Sequence, residues 1–171
     1  FISEQIDSIV SQSHSNWSLH ISDDDSSDGS NRIIKGYTKQ FAKKISINNV
    51  QNNDFRKSFL QLVCDKSIDS QYFSFADQDD IWEEDKLKVA LEFLQTIPED
   101  TPALFCSRTT IVDRDNQTLS LSPLFKRIPS FANALVQNIG GGNTMVFNLA
   151  AKRLLEKAGS DIEIPSHDWW T

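Results

Sequence analysis

Twice in the first ninety residues a short apolar run ends in a block of aspartates and is followed at once by residues at helical spacing. No other feature restricts the fold as much. The first run, residues 17–22, leads into Asp23, Asp24, Asp25, Ser26, Ser27, Asp28 and Gly29, after which Ile33, Ile34, Tyr37 and Phe41 share a helix face. The second, residues 71–76, runs straight into Asp77, Gln78, Asp79 and Asp80, and then into a helix with Leu87, Ala90, Leu91 and Leu94 that Pro98 stops. A helix carrying Ile2, Ile6 and Ile9 precedes the first unit, and a short strand at 45–48 and a helix with Phe55, Phe59 and Leu60 separate the two. Strands alternating with helices in this way predict an α/β fold with a mostly parallel sheet covered by helices on both faces. In such sheets ligands bind beyond the carboxyl ends of the strands, and both acidic blocks fall there.

Beyond residue 100 the pattern changes. Strand-like segments at 103–112 and 118–121, with a turn at Asp115 and Asn116, predict a hairpin. A helix over 130–137, a glycine cluster at 140–142, a strand at 144–147 and a helix over 149–157 follow. With 171 residues, 39% of them apolar and including eleven Phe and four Trp, the chain has the size and core material of one domain.

The balance of 17 basic against 24 acidic residues, net −7, and the absence of a long Lys/Arg run argue against nucleic-acid binding. An acidic protein that binds an anionic ligand needs a cation between the two, which turns the aspartate clusters into metal candidates. Cys64 and Cys106, in apolar surroundings and without ligand spacing, read as reduced, buried thiols. No segment approaches the roughly 20 apolar residues that span a bilayer, and a cytoplasmic location is expected. The chain starts at Phe1 inside a helical pattern and stops at Thr171 after an aromatic and acidic cluster, which reads as a segment of a longer enzyme.

Asp77 and Asp79 lie one residue apart at a strand end, so an extended backbone aims both carboxylates toward one point. Mg²⁺ or Mn²⁺ is held by one or two carboxylates plus substrate phosphate oxygens, and such a cation neutralises the charge developing on a diphosphate leaving group. Alone, an Asp-x-Asp is more often a solvated turn. The Asp23–Asp24 block fits two readings equally: an acidic helix cap, or a carboxylate that accepts the N3–H of a pyrimidine beside the amides of a helix N-terminus.

Taken together, ISDDDSSDG at 21–29 and FADQDDIWEEDKL at 75–87 resemble glycosyltransferase family 2, especially its bacterial rhamnosyltransferase-like branch, and the similarity runs over nearly the whole chain. The resemblance implies a Rossmann-like GT-A fold and an inverting transfer from a nucleotide-diphosphate sugar, with dTDP-L-rhamnose or a UDP-sugar as donor. A glycan or lipid-linked acceptor in cell-surface polysaccharide synthesis is implied too, as is peripheral contact with the inner face of the membrane. It places Asp23 or Asp24 on the base, and Asp77 and Asp79 on a divalent Mn²⁺ or Mg²⁺, with Asp79 nearest the metal. Residues 1–100 would form the nucleotide-sugar half and 101–171 the acceptor half. The family's first strand would precede Phe1; without it the sheet is expected to be open along one line and catalysis by these residues alone to be weak.

GGGNTMVFN at 140–148 and HDWW at 167–170 match the family's glycine-containing acceptor loop and the site of its acidic catalytic residue. Gly141 and Gly142 are thereby acceptor-loop candidates and Asp168 the base that takes the acceptor's proton. Alone, an Asp between aromatics is more often a structural hydrogen-bond acceptor. His167, where many members have Glu, would contact the acceptor or diphosphate. Trp169 and Trp170 either stack on an acceptor sugar or cover the core. Trp82 reads as core. Lys86 reads first as a surface lysine and second as a diphosphate contact. A noncatalytic nucleotide- or sugar-binding module of the same fold is the alternative function.

Overall fold

The computed structural model describes residues 1–51, 54–138 and 140–171. Helix α1 (Ile2–Val10) packs Ile6 against Ile34 of α2 (Ser30–Gln40) and Ile45 of β2 (Ile45–Asn49). Strand β1 (Leu19–Asp23) runs parallel to β2 in the register Leu19↔Ile45 to Asp23↔Asn49, with α2 as the crossover. The helical spacing of Ile34, Tyr37 and Phe41 therefore becomes one packed face, and the first strand–acid–helix unit forms as its sequence pattern predicts.

Helix α3 (Phe55–Cys64) starts at Asp54, whose carboxylate accepts the Arg56 amide at 2.9 Å and pairs with the Arg56 guanidinium. Strand β3 (Tyr72–Ser74) pairs antiparallel with β7 (Val146–Asn148), and β7 pairs antiparallel with β4 (Leu104–Phe105). Period-2 alternation on β7 divides the core: Phe147 faces Val63, Phe75 and Met145 under α3 and α6 (Leu149–Ala158), whereas Val146 faces Ala90 and Leu94 of α4 (Lys86–Leu94). Asn148 fastens one end of this sheet, capping α6 through the Ala151 amide at 3.0 Å, accepting the Ala103 amide at 3.1 Å and donating to the Thr101 carbonyl at 2.8 Å.

The described strands therefore do not join into one large parallel sheet. Only β1 and β2 are parallel; the three-stranded sheet is antiparallel, because the chain returns from its excursion after residue 105 and enters β7 against the direction of both neighbours. Among the described strands β1 pairs only with β2, and β3 only with β7. A cleft of about 1520 Å³ lies between them, lined by both strands and by Ile6, Ile34 and Phe59 from the helices.

The excursion carries the expected hairpin, β5 (Thr110–Val112) with β6 (Thr118–Leu121), closed by Asn116 at φ 59° and by Asp113, which accepts the Asp115 and Gln117 amides at 2.9 Å. Two short helices follow, α5 (Phe131–Ala134) before the glycine cluster and α7 (His167–Trp170) at the end. Cys64 is half-buried; Cys106, between β4 and β5, is exposed as a residue, yet its thiol lies against Gly140 and burial raises its pKa, so the reading of two buried thiols holds only in part. Among the described residues no helix is long and apolar enough to cross a membrane.

Candidate active site

Asp23, the last residue of β1, is buried, and its Oδ2 accepts a 2.6 Å hydrogen bond from the Asn31 amide nitrogen. The same amide donates to Asn49 Oδ1 at 2.9 Å, at the end of β2. Asn31 thus ties the ends of the two parallel strands to the first turn of α2. Asp24 is half-buried and its Oδ2 accepts the Asp54 amide at 3.2 Å. The intervening turn needs two left-handed residues, Asp25 at φ 59° and Gly29 at φ 93°; aspartate and glycine tolerate that region best. Both aspartates line the cleft.

The opposite wall carries the second acidic block. Phe75 is buried, and its chain leads to a half-buried Asp77 and an exposed Asp79, both on the cleft. Burial, then the charges of Asp80, Asp79 and Asp168, push the Asp77 carboxyl up to about 6, against the pull of Lys86. Asp80 is raised as well, mainly by burial, while a hydrogen bond from the Asn143 side chain opposes the rise.

Lys86 is not the surface lysine its sequence position suggests. Its ammonium donates to the Asn143 carbonyl at 2.7 Å and to Ser74 Oγ at 3.4 Å and lies 3.2 Å from the Trp82 ring centroid. Burial lowers it to about 7 despite the attraction of Asp80 and Asp77. Trp82 is buried, as expected of a core residue beside this loop.

Asp168 stands on α7, and Asp77 feels its charge. Its Oδ2 accepts from the Asn138 side chain at 2.9 Å and from the Gly142 amide at 3.3 Å; its Oδ1 accepts the Trp169 amide at 2.9 Å. Burial pushes this carboxyl up, but the Ser166, Gly142 and Trp169 hydrogen bonds and the neighbouring His167 outweigh it and hold it below the usual carboxylate range. It is ionised at neutral pH and can accept a proton.

The glycine loop meets α7 so closely that a Cβ on Gly142 would lie 2.5 Å from His167 Nε2 and 3.1 Å from Asp168 Cβ. At Gly141 the nearest atom to a Cβ would be Asn143 Oδ1, at 2.8 Å, a movable side-chain end.

His167 is buried rather than displayed. Its ring stacks on Phe59 at 3.8 Å with Phe75 edge-on at 4.9 Å, and neither ring nitrogen has a hydrogen-bond partner among the described residues. Burial lowers its pKa, so the imidazole is neutral packing material beneath Asp168. Trp169 and Trp170 are exposed and do not cover the core; Trp169 Nε1 donates to the Ala134 carbonyl at 2.6 Å, anchoring that ring on α5.

The structure thus groups Asp77, Lys86, Gly142 and Asp168, sets Asp23 and Asp24 across the cleft, and leaves the two tryptophans outside it. Three participants were not singled out from sequence: Asn31, Asn138 and Asn143. Asn143 directly follows the glycine cluster and Asn138 directly precedes it, which was the available signal. Asn31 sits in the turn after Gly29, and only the fold shows its reach to Asp23.

The chain belongs to glycosyltransferase family 2: the profile described as Glycosyl transferase family 2 matches residues 1–155. It is 32% identical over 97 residues to TuaG of Bacillus subtilis (strain 168), named as a teichuronic acid biosynthesis glycosyltransferase, covering 55% of this chain and 36% of that protein. It is 35% identical over 97 residues to the dTDP-rhamnosyl transferase RfbG of Shigella flexneri, covering 55% and 34%. A third relative, the glycosyltransferase EpsE of B. subtilis (strain 168), is 33% identical over 95 residues, 55% and 34% of the two chains. The chain spans about a third of the length of these relatives. Membership implies the GT-A α/β fold.

Proposed function

We propose that this domain moves a sugar, with inversion, from a nucleoside-diphosphate donor to a glycan or lipid-linked acceptor in cell-surface polysaccharide synthesis. The observation that carries the reading is the placing of Asp23 and Asp24 opposite Asp77 and Asp79 on one cleft, with Asp168 within electrostatic reach of Asp77. The nucleotide half is residues 1–100 and the acceptor half 101–171. Asp24 is the better base-binding candidate of its pair, because Asp23 is buried and its Oδ2 already receives Asn31. The donor is a dTDP-sugar, in line with the name of RfbG, and dTDP-L-rhamnose is the first to test.

Asp77 and Asp79 would hold Mn²⁺ or Mg²⁺, which when bound offsets the charge developing on the diphosphate. The donor set fits: Asp77, Asp79, Asp80 and Asp168 interact through one region in which Lys86 is the opposing cation. Among the described residues no three His, Cys, Asp or Glu side chains converge on one point, so a cation here would need substrate phosphate oxygens and water to complete its shell. Lys86, the cation drawn to Asp80 and Asp77, would offset diphosphate charge beside them.

Asp168 takes the proton of the acceptor hydroxyl while that oxygen bonds to the anomeric carbon and the diphosphate departs from the opposite side. Its two oxygens are oriented by Asn138, Gly142 and the Trp169 amide. Trp169 and Trp170, exposed beside it, offer faces for an acceptor sugar.

Calorimetric titration with dTDP and with UDP, each in Mn²⁺ and in EDTA, tests the reading. Metal-dependent binding with a preference between the bases is the expected result. Equal binding in EDTA contradicts the metal role, and binding of neither nucleotide contradicts the donor site.

A further inference from the structure

Just ahead of the glycine loop, Asn138 makes two hydrogen bonds with one side-chain amide. Its Oδ1 accepts the Gly140 amide at 3.1 Å, and its Nδ2 donates to Asp168 Oδ2 at 2.9 Å. A backbone N–H can only donate, so the Gly140 bond fixes which end of the side chain faces Asp168. The Gly142 amide reaches the same Oδ2 at 3.3 Å, which closes a hydrogen-bonded ring through Asn138, Gly140, Gly142 and Asp168. Both glycines are packed against neighbours: a Cβ on Gly140 would lie 2.6 Å from Cys106 Sγ and 3.0 Å from Cys106 Cβ, and one on Gly142 2.5 Å from His167 Nε2. The loop is therefore a fixed frame from which a side chain can be aimed.

We infer that Asn138 is the positioning residue of the base: it locks Asp168 to the glycine loop, fills Oδ2 together with Gly142, and leaves Oδ1 as the oxygen that takes the acceptor's proton. The inference rests on the reading of Asp168 as the base. A carboxylate oxygen has two lone pairs, and both of those on Oδ2 are met by N–H groups. Oδ1 accepts the Trp169 amide at 2.9 Å, and the Ser166 hydroxyl, which also bonds this carboxylate, can rotate its proton away. As the acceptor O–H bond breaks, the proton passes to Oδ1 and the oxygen's electron pair forms the bond to the anomeric carbon.

Two substitutions separate holding the loop from holding the base. Asn138→Ala removes both bonds. Asn138→Asp keeps an acceptor for the Gly140 amide but sets a second carboxylate beside Asp168, so that the pair must share a proton. Asp77 and His167, the titratable groups whose charges act on Asp168, stay the same in both variants. A residue that only braced the loop would tolerate the second change and suffer from the first equally at every pH.

The test is carbon-13 NMR titration of the Asp168 carboxyl in metal-free buffer, assigned by its loss in Asp168→Asn, beside the pH profile of dTDP release from dTDP-L-rhamnose in Mn²⁺ with water as acceptor. Wild-type Asp168 is expected to titrate below the usual carboxylate range, Asn138→Ala about one pH unit higher, and the carboxylate pair of Asn138→Asp to hold a proton about two pH units above the wild type. The acid limb of dTDP release should move by the same amounts, with dTDP affinity in Mn²⁺ within a factor of about two. Should Asn138→Ala fail to fold, as read by circular dichroism, Asn138→Asp, which keeps the Gly140 bond, decides alone. A carboxyl that titrates at the wild-type pH in Asn138→Asp overturns the inference, and so does an acid limb that stays in place while the carboxyl moves. Release kept in Asp168→Asn overturns the base and this inference with it. A wild type that releases no dTDP contradicts the donor reading, and the NMR titration then decides on Asn138.

Discussion

The wall from β3 to α4 and the segment from β6 to α5 handle exposed surface in opposite ways. On the wall, two half-buried charged groups are held: Lys86 by Ser74, Asn143 and Trp82, and Asp80 by Asn143. On the segment, Ile128, Phe131 and Val136 are largely exposed, and Trp169 Nε1 anchors α5 through the Ala134 carbonyl. The wall accepts the cost of burying like charges, visible in an Asp77 raised to about 6 and a Lys86 lowered to about 7, which a bound cation and diphosphate would relieve. The segment leaves its apolar area in water. The contrast separates a region whose charged groups are held by named partners from one whose apolar side chains stand open.

Breaking the wall should have effects that breaking the segment does not. Asp168→Asn keeps the side chain's shape but turns one acceptor oxygen into a donor and cannot take a proton. Nucleotide release from the donor with acceptor present should fall by about 10²–10⁴-fold while nucleotide affinity stays within a factor of about two. Unchanged turnover would remove Asp168 as the base. Gly142→Ala drives a methyl into the buried His167 and shifts α7, so turnover should fall on the order of 10²-fold and the unfolding midpoint should drop with it. A structural loop alone would show the midpoint change without the turnover change.

Leu94→Ala, 1% exposed beside Val146, should cost about 3 kcal/mol in denaturant unfolding and sharpen the comparison by separating packing from site chemistry.

The smallest effect belongs to Asp77→Asn. In metal-free buffer Asp77 keeps its proton to about pH 6 in the fold, against about pH 4 when unfolded. The fold therefore binds more protons in that window, and stability falls as pH rises through it. Removing the charge should flatten that fall and raise neutral-pH stability by about 1 kcal/mol after discounting for partial exposure, or about 2–4 °C. A variant that melts lower at pH 7 would contradict the burial of this charge.

The two strand–acid–helix units were legible because each of their elements is periodic and their polar residues are concentrated in the turns. Direction was not. Tyr72–Ser74 and Val146–Asn148 look alike as apolar runs, and only tertiary packing sets them antiparallel. The run at 103–112 reads as one strand, yet only Leu104–Phe105 joins the sheet, while Thr110–Val112 turns outward into the hairpin. Helix α7 escapes a periodicity reading because it is four residues long and is set by its Ser166 cap. Spacing alone placed Lys86 one to two turns beyond the aspartates, and its burial comes from Trp82 and from Asn143, 57 residues away in sequence.

The central claim is that the two acidic blocks make one donor site whose cation is completed by substrate. Binding of Mn²⁺, followed by the relaxation of water protons with and without dTDP, tests it most directly. The account predicts weak Mn²⁺ binding alone, because no three described His, Cys, Asp or Glu side chains converge on one point, and binding at least tenfold tighter with dTDP, lost in Asp79→Ala. Mn²⁺ bound equally well with and without the nucleotide, or unaffected by Asp79→Ala, would contradict it.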